Sequence, residues 1–385
     1  MKDYLDGITR RTKDASLLTQ HSRRGFIGLA LASVLAACQS PATTQPARVS
    51  ASTTPQATAT PQGIASLHLK AIEPGNASQL KQVAVWDAGG VRVRAVAWSP
   101  DAELLAVGAD RSLQIWDARS GTKLTTLQGQ TGEVSGLAWS RKNHLLTSIS
   151  RDGSLRVWDT DKWAVQRVMQ RTTVNDILLS VAWSPDETRL VTGNAFGSAL
   201  LWEAATGKNL ADLQGQPPAN AHGGGGAYPF GVYGVAWSPD GSRIASTRYD
   251  DLAHVWDART NKKLLVLQTS AQPNGVAWSP DGQILVTTSD DGTAQLWDSS
   301  GKNIAVLSGH QDEGWAYPVR WSPDGLVLAS AHQSGLLEVW EVKTGKGLAA
   351  LQGHTQAVWS IDWSANDLLI ASGSDDGTVR LWGVL

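Results

Sequence analysis

From residue 79 onward the chain consists of short apolar runs separated by turn-forming residues. The stretch from Gly275 to Asp298 shows the unit. Val276-Ala277-Trp278 reads as a short apolar strand, and Ser279-Pro280-Asp281-Gly282 suits a type I turn. Proline pre-sets φ at the second position of such a turn and glycine closes it at the fourth. Residues 284–288 form a second strand, Asp291-Gly292 a tight hairpin signal, and residues 293–297 a third strand. Residues 303–307 supply a fourth.

The unit recurs. Its first tryptophan is found at Trp98, Trp139, Trp183, Trp237, Trp278, Trp321 and Trp363, at spacings of 41, 44, 54, 41, 43 and 42. A second series, Trp116, Trp158, Trp202, Trp256, Trp297, Trp340 and Trp382, trails the first by 18 or 19 residues. Four strands cannot bury both faces of their own sheet, so the units must stack on one another. A four-stranded unit with a period near 42 fits a propeller blade.

Composition agrees. Among 385 residues there are 18 Trp against 5 Tyr and 3 Phe, and the two series absorb fourteen of the 18. The formal net charge of −2 lacks the basic footprint of a nucleic-acid binder. A single Cys excludes an intramolecular disulfide and a cysteine-based zinc site.

On Trp116-Asp117, Trp158-Asp159, Trp256-Asp257 and Trp297-Asp298, with Gly309-His310, Gly353-His354 and the Asp-Gly turns, residues 79–385 resemble the WD40-repeat family. The resemblance implies an all-β, seven-bladed propeller closed by an N-terminal strand that completes the last blade. Residues 81–86 are expected to fill that place, with Trp86 at the outer-strand apolar position. It also implies a structural His–Ser/Thr–Trp–Asp tetrad, complete in blade seven as His354, Ser372, Trp382 and Asp376. Elsewhere Gln130 and Gln216 stand in for His, and Phe196 and Ser334 for Asp. A six-bladed family that also uses Ser-Pro-Asp-Gly turns is the rival fold.

Residues 1–37 read as an export signal. Ser22-Arg23-Arg24-Gly25-Phe26-Ile27 resembles a twin-arginine motif, and the apolar run from Phe26 to Ala37 is too short to span a bilayer. Leu35-Ala36-Ala37-Cys38 resembles the lipobox of bacterial lipoproteins, which predicts lipidation at Cys38 and membrane attachment through it. Gln39 rather than Asp after that Cys favours an outer-membrane or surface address. Residues 1–37 carry six Lys/Arg and three Asp, so the remainder holds 27 basic and 32 acidic residues, a net of −5. Residues 38–78 are assigned to the anchor and a disordered tether, rich in Pro, Thr and Ala from residue 39 to 63.

No catalytic motif, phosphate loop or calcium loop is present in the sequence. Turn carboxylates such as Asp281 and Asp324 read as solvated turn formers. No cofactor, metal or nucleic-acid partner is expected, and the protein reads as a monomeric non-enzyme. What remains is the rim where family members usually dock partners, four and six residues before each first Trp and at the residue preceding the turn Asp. Arg92, Arg94, Leu179, Tyr233, Tyr249, Trp315, Tyr317 and Trp359 are the candidate partner-binding residues there. Tyr228 and Phe230 join them from a Gly-rich insertion at 217–230, which is either a functional loop or a tolerated insertion. Trp and Tyr beside Arg is the usual composition of a binding hot spot. The bland alternative is that these rings merely cap the channel. The expected function is an extracytoplasmic protein- or peptide-binding scaffold. A carbohydrate- or solute-binding or enzymatic propeller, and an envelope assembly scaffold, stand as alternatives.

Overall fold

Each repeat folds as its turn chemistry requires. In the first blade the strand β2 (Val93–Trp98) ends at Ser99. The Ser99 hydroxyl donates to Asp101 at 2.5 Å and accepts the backbone N–H of Leu104 at 2.9 Å, which locks the turn into β3 (Leu104–Ala109). The strands β4 (Ser112–Asp117) and β5 (Thr122–Leu127) complete the sheet in the order β2-β3-β4-β5. The same Ser–Asp bond closes the turns at Ser184, Ser238, Ser279 and Ser322. The turn aspartates are therefore acceptors fixed by their neighbours: Asp281 is held below the ordinary carboxylate range, first by the Ser279 hydroxyl.

The structure, a computed structural model, describes residues 63–171, 176–213, 228, 230–248, 250–308 and 316–385, with only the backbone considered at 316 and 317. Among these, 28 strands from β1 (Lys81–Asp87) to β28 (Thr378–Gly383) form seven four-stranded antiparallel sheets. The seven-bladed propeller expected from the tryptophan spacing is the observed fold. Blade seven consists of β26 (Val358–Trp363), β27 (Leu369–Ser374), β28 and, as its outer strand, β1. The pairing of β1 with β28 runs from Lys81↔Gly383 to Asp87↔Thr378, with a bulge between Gln82 and Ala84.

The apolar core is divided into seven clusters, one at each junction between neighbouring blades. The two tryptophan series serve different bonds. Six of the second-series indoles donate to a Ser or Thr ten residues upstream, as Trp158 does to Ser148 at 2.8 Å and Trp382 to Ser372 at 2.9 Å. Blade one has Ala106 at that position, and Trp116 instead donates to Gln114 at 3.1 Å. From the first series Trp139, Trp183 and Trp321 donate across to a backbone carbonyl of the preceding blade. Trp86 is fully buried and stacks on Trp116, ring centroids 5.3 Å apart and 8° from parallel. Trp163, which no repeat position accounts for, lies edge-on to Trp139 at 6.4 Å.

One boundary moves. The tether expected over residues 38–78 ends earlier, because residues 64–80 pack on the propeller. Ile64 and Ala65 donate to the backbone of Ala118 and Arg119, Lys70 bridges to Val384, and Ile72 donates to Asp367. Ile72 and Ala77 are fully buried in the cluster between blades six and seven. These residues follow no repeat period, so nothing in their spacing marked them as core. All their partners lie at the ends of the blades carrying the first-Trp turns, so this strap runs along the turn face.

The turn that follows each first Trp needs a left-handed residue. Gly241, Gly282 and Gly325 supply it at φ of 72° to 75°, but blade seven uses Asp367 at φ 57°. Burial, then the nearby Asp324 carboxylate, pushes the Asp367 carboxyl up to about 6. A folded-state value above the unfolded one means stability declines as pH rises from about 4 through about 6. Asp367→Gly removes both the left-handed strain, worth about 1 kcal/mol, and this carboxylate. The variant is expected to unfold at higher denaturant than the parent at pH 7, with the advantage shrinking at pH 4. An advantage that is equal at both pH values would mean that only the backbone strain was relieved.

Candidate functional site

The inner strands of all blades begin at one end of the molecule, the face opposite the strap. Arg94 on β2, Ser135 on β6 (Val134–Trp139) and Leu179 on β10 (Leu178–Trp183) open there. Tyr233 on β14 (Val232–Trp237), Asn274 on β18 (Pro273–Trp278) and Trp359 on β26 complete the described ring. These six side chains line a cavity of about 360 Å³ at the channel mouth. Tyr317 holds the same strand position on β22 (Ala316–Trp321), but its side chain lies outside the described residues, as do Trp315 and Tyr249 altogether.

Tyr228 and Gln272 also line the cavity, whereas Arg92 is exposed and Phe230 half-buried, and neither lines it. Of the insertion only 228 and 230 are described. The Tyr233 hydroxyl donates to the backbone carbonyl of Tyr228 at 3.3 Å, which joins the end of the insertion to the ring.

Arg94 is already engaged. Its Nε lies 3.2 Å from Glu133 and 3.1 Å from Asp375, and its guanidinium carbon sits 4.0 Å above the Trp359 ring. Burial lowers its pKa and the two carboxylates oppose that. An arginine in such surroundings remains charged. Glu133 also takes Arg151 at 3.2 Å, and the Arg151 guanidinium lies 5.9 Å over the Tyr228 ring. Deeper in the channel Arg320 faces Asp362 at 3.8 Å, and Asp362 accepts the backbone N–H of Trp98 at 2.8 Å. Burial raises the Asp362 pKa.

Of this network the sequence singled out Arg94 as a candidate, but not Asp375 or Arg320. Asp375 lies twelve residues after Trp363, the offset of Arg151 from Trp139 and of Asp290 from Trp278. The repeat could have found it. The pairing itself could not be read, because it joins blades one, two and seven.

The four tetrad residues of blade seven come together away from this cavity. His354 lies 2.8 Å from the Ser372 hydroxyl through Nε2 and 2.9 Å from Asp376 through Nδ1. Burial lowers the His354 pKa, and the hydrogen bonds of Asp376 to His354 and Thr378 hold its carboxyl well below the usual range despite burial. In blade two Gln130 replaces the histidine and donates to Ser148 at 2.6 Å. Cys38 lies outside the described residues. Among the described residues no group of three His, Cys, Asp or Glu side chains could hold a metal ion.

Five stretches match the model of the WD domain, G-beta repeat: residues 80–117, 121–159, 222–257, 261–298 and 345–383. This chain is a seven-bladed WD40-repeat propeller. The unmatched stretches contain blades three and six, where Phe196 and Ser334 stand at the tetrad Asp, though both fold as complete sheets of this WD40 ring. Similar proteins include "Periodic tryptophan protein 2" of Arabidopsis thaliana, 29% identical over 172 residues. That match covers 44% of this chain and 18% of the relative. "Autophagy-related protein 16" of the same plant is 28% identical over 159 residues, 41% of this chain and 28% of its own length. "WD repeat-containing protein 1" of Gallus gallus is 24% identical over 176 residues, 44% and 27%. The chain therefore spans less than a third of the length of each of these relatives.

Truncating Arg94 tests the network it holds. Arg94→Ala leaves Asp375 without its cation and Glu133 with Arg151 alone, and is expected to cost about 3 kcal/mol in denaturant unfolding. Adding Asp375→Asn should recover part of that loss. A single variant as stable as the parent would show that the cluster contributes nothing.

Proposed function

We propose that this WD40 propeller is a non-catalytic scaffold that docks a protein or peptide on its channel-mouth face, working as a monomer. We further propose that it acts outside the cytoplasm, held to the envelope by a lipid on Cys38. The observation that carries the docking reading is the cavity itself. It gathers the aromatic rings of Trp359, Tyr233 and Tyr228 with the amides of Asn274 and Gln272 on rigid strand ends. Aromatic anchors beside fixed hydrogen-bond groups suit a peptide backbone and its side chains. Similarity to a relative named for its repeats, WD repeat-containing protein 1, favours a scaffold over an enzyme.

Residues 64–72 run along the turn face, so the described chain enters the propeller at the end opposite the mouth, which leaves the mouth clear of the point where an upstream tether attaches.

Two measurements test this. Cross-linked capture from the source cell's own membranes, with the parent chain and with Trp315, Tyr317 and Trp359 all changed to Ala, should lose its specific partner only in the variant. Unchanged capture would place docking elsewhere. Separately, Cys38→Ala should move the protein from the membrane fraction to the soluble fraction, and a variant still sedimenting with membranes would exclude the lipid anchor.

A further inference from the structure

The charges around the mouth are unevenly matched. Among the described residues, the charged side chains that line the cavity are Arg94, Arg151, Arg320 and Asp290. Each arginine faces at least one carboxylate: Arg94 has Glu133 and Asp375, Arg151 shares Glu133, and Arg320 has Asp362. Asp290 differs. Its hydrogen-bond partner is the side-chain amide of Asn274 at 2.6 Å, and no cation among the described residues lies within ion-pair reach. Its charged neighbours are Asp251 and Asp291, and burial followed by these two carboxylates raises its pKa. Blade five stands three places around the ring from blade one, so Asp290 and Arg94 line different sides of the cavity.

A carboxylate kept partly from water without a counter-ion is a cost to the free protein, and an arriving cation would relieve it. The three arginines do not repel that cation strongly, because their charge is already neutralised by their own carboxylates. The cavity admits a long side chain but no folded domain.

Resting on the docking reading above, we infer that the mouth selects a basic side chain, Lys or Arg, of the docked peptide, and that Asp290, presented by Asn274, receives it. The test uses the full chain and capped Gly-Gly-Xaa-Gly-Gly peptides with Arg, Lys, Glu or Ala at the centre, alongside free agmatine. Binding is followed by the backbone amide shifts of Tyr233, Asn274, Asp290 and Trp359. The Arg and Lys peptides are expected to bind at least about 10-fold tighter than the Glu peptide, the scale of one charge-assisted hydrogen bond. That preference should shrink as salt is raised. In Asp290→Asn, whose amide spectrum outside blade five reports its folding, the preference should vanish. Should that variant not fold, the salt dependence of the parent decides.

Equal binding of basic and acidic peptides at the mouth would overturn the cation assignment while leaving docking intact. A preference that survives Asp290→Asn would overturn the role of Asp290. Agmatine binding as tightly as the Arg peptide would overturn the peptide in favour of a free amine. Silence at all four amides with every probe would overturn the inference, and the capture experiment would then decide docking alone.

Discussion

Ring closure is the constraint on which the rest of this molecule depends. A four-stranded sheet with two apolar faces has no stable existence alone, and seven in a row still leave two faces bare unless the first meets the last. The meeting is made three times over at the junction of blades seven and one. On the outside β1 pairs with β28 and brings Trp86 onto Trp116. On the inside the backbone of Val96 and Trp98 donates to Ser360 and Asp362 at 3.0 and 2.8 Å. At the mouth Arg94 of blade one reaches Asp375 and Trp359 of blade seven. The most elaborate side-chain cluster of the candidate site thus straddles the place where the ring is sealed.

This dual placement changes the meaning of Arg94 and Trp359. From composition they form a free hot spot of aromatic beside arginine. In the folded chain they hold each other, and a ligand meets a surface already neutralised and stiff. Rigid, prepaired groups lose little entropy when a partner docks, which favours specificity of shape over reach. The uncompensated charge lies elsewhere on the rim, at Asp290, which holds the repeat position that Arg151 and Asp375 hold in their blades.

What the sequence made legible was what repetition enforces. Positions that carry the same residue in most copies, the two tryptophans and the Ser–Asp turn, do similar work in most blades, and comparing copies exposes them. The tetrad of blade seven and the closing strand come instead from the resemblance to the WD40 family. The strap could not be read this way: Ile72 and Ala77 are buried against the last blades, but they belong to no copy and have no periodic partner. Nor could the pairing at the mouth, because Glu133, Arg94 and Asp375 come from three blades and lie close only once the ring has closed. Blades three and six show the converse, since they depart from the repeat pattern at the tetrad Asp but keep the four-stranded sheet.

The two ends of the propeller are thereby put to different uses. At the turn end, short Ser–Asp bonds recur in almost the same form, and the strap fills the space beneath blades six, seven and one. That end is occupied with holding itself together. At the mouth the corresponding positions diverge from copy to copy, as Arg94, Ser135, Leu179, Tyr233, Asn274 and Trp359. Divergence among copies within one chain is informative without any relative to compare. A position that must support the blade is constrained identically seven times, and one that varies freely while remaining on a rigid strand end is available for recognition. The scaffold fixes where these side chains stand, and their chemistry alone distinguishes one side of the mouth from the other.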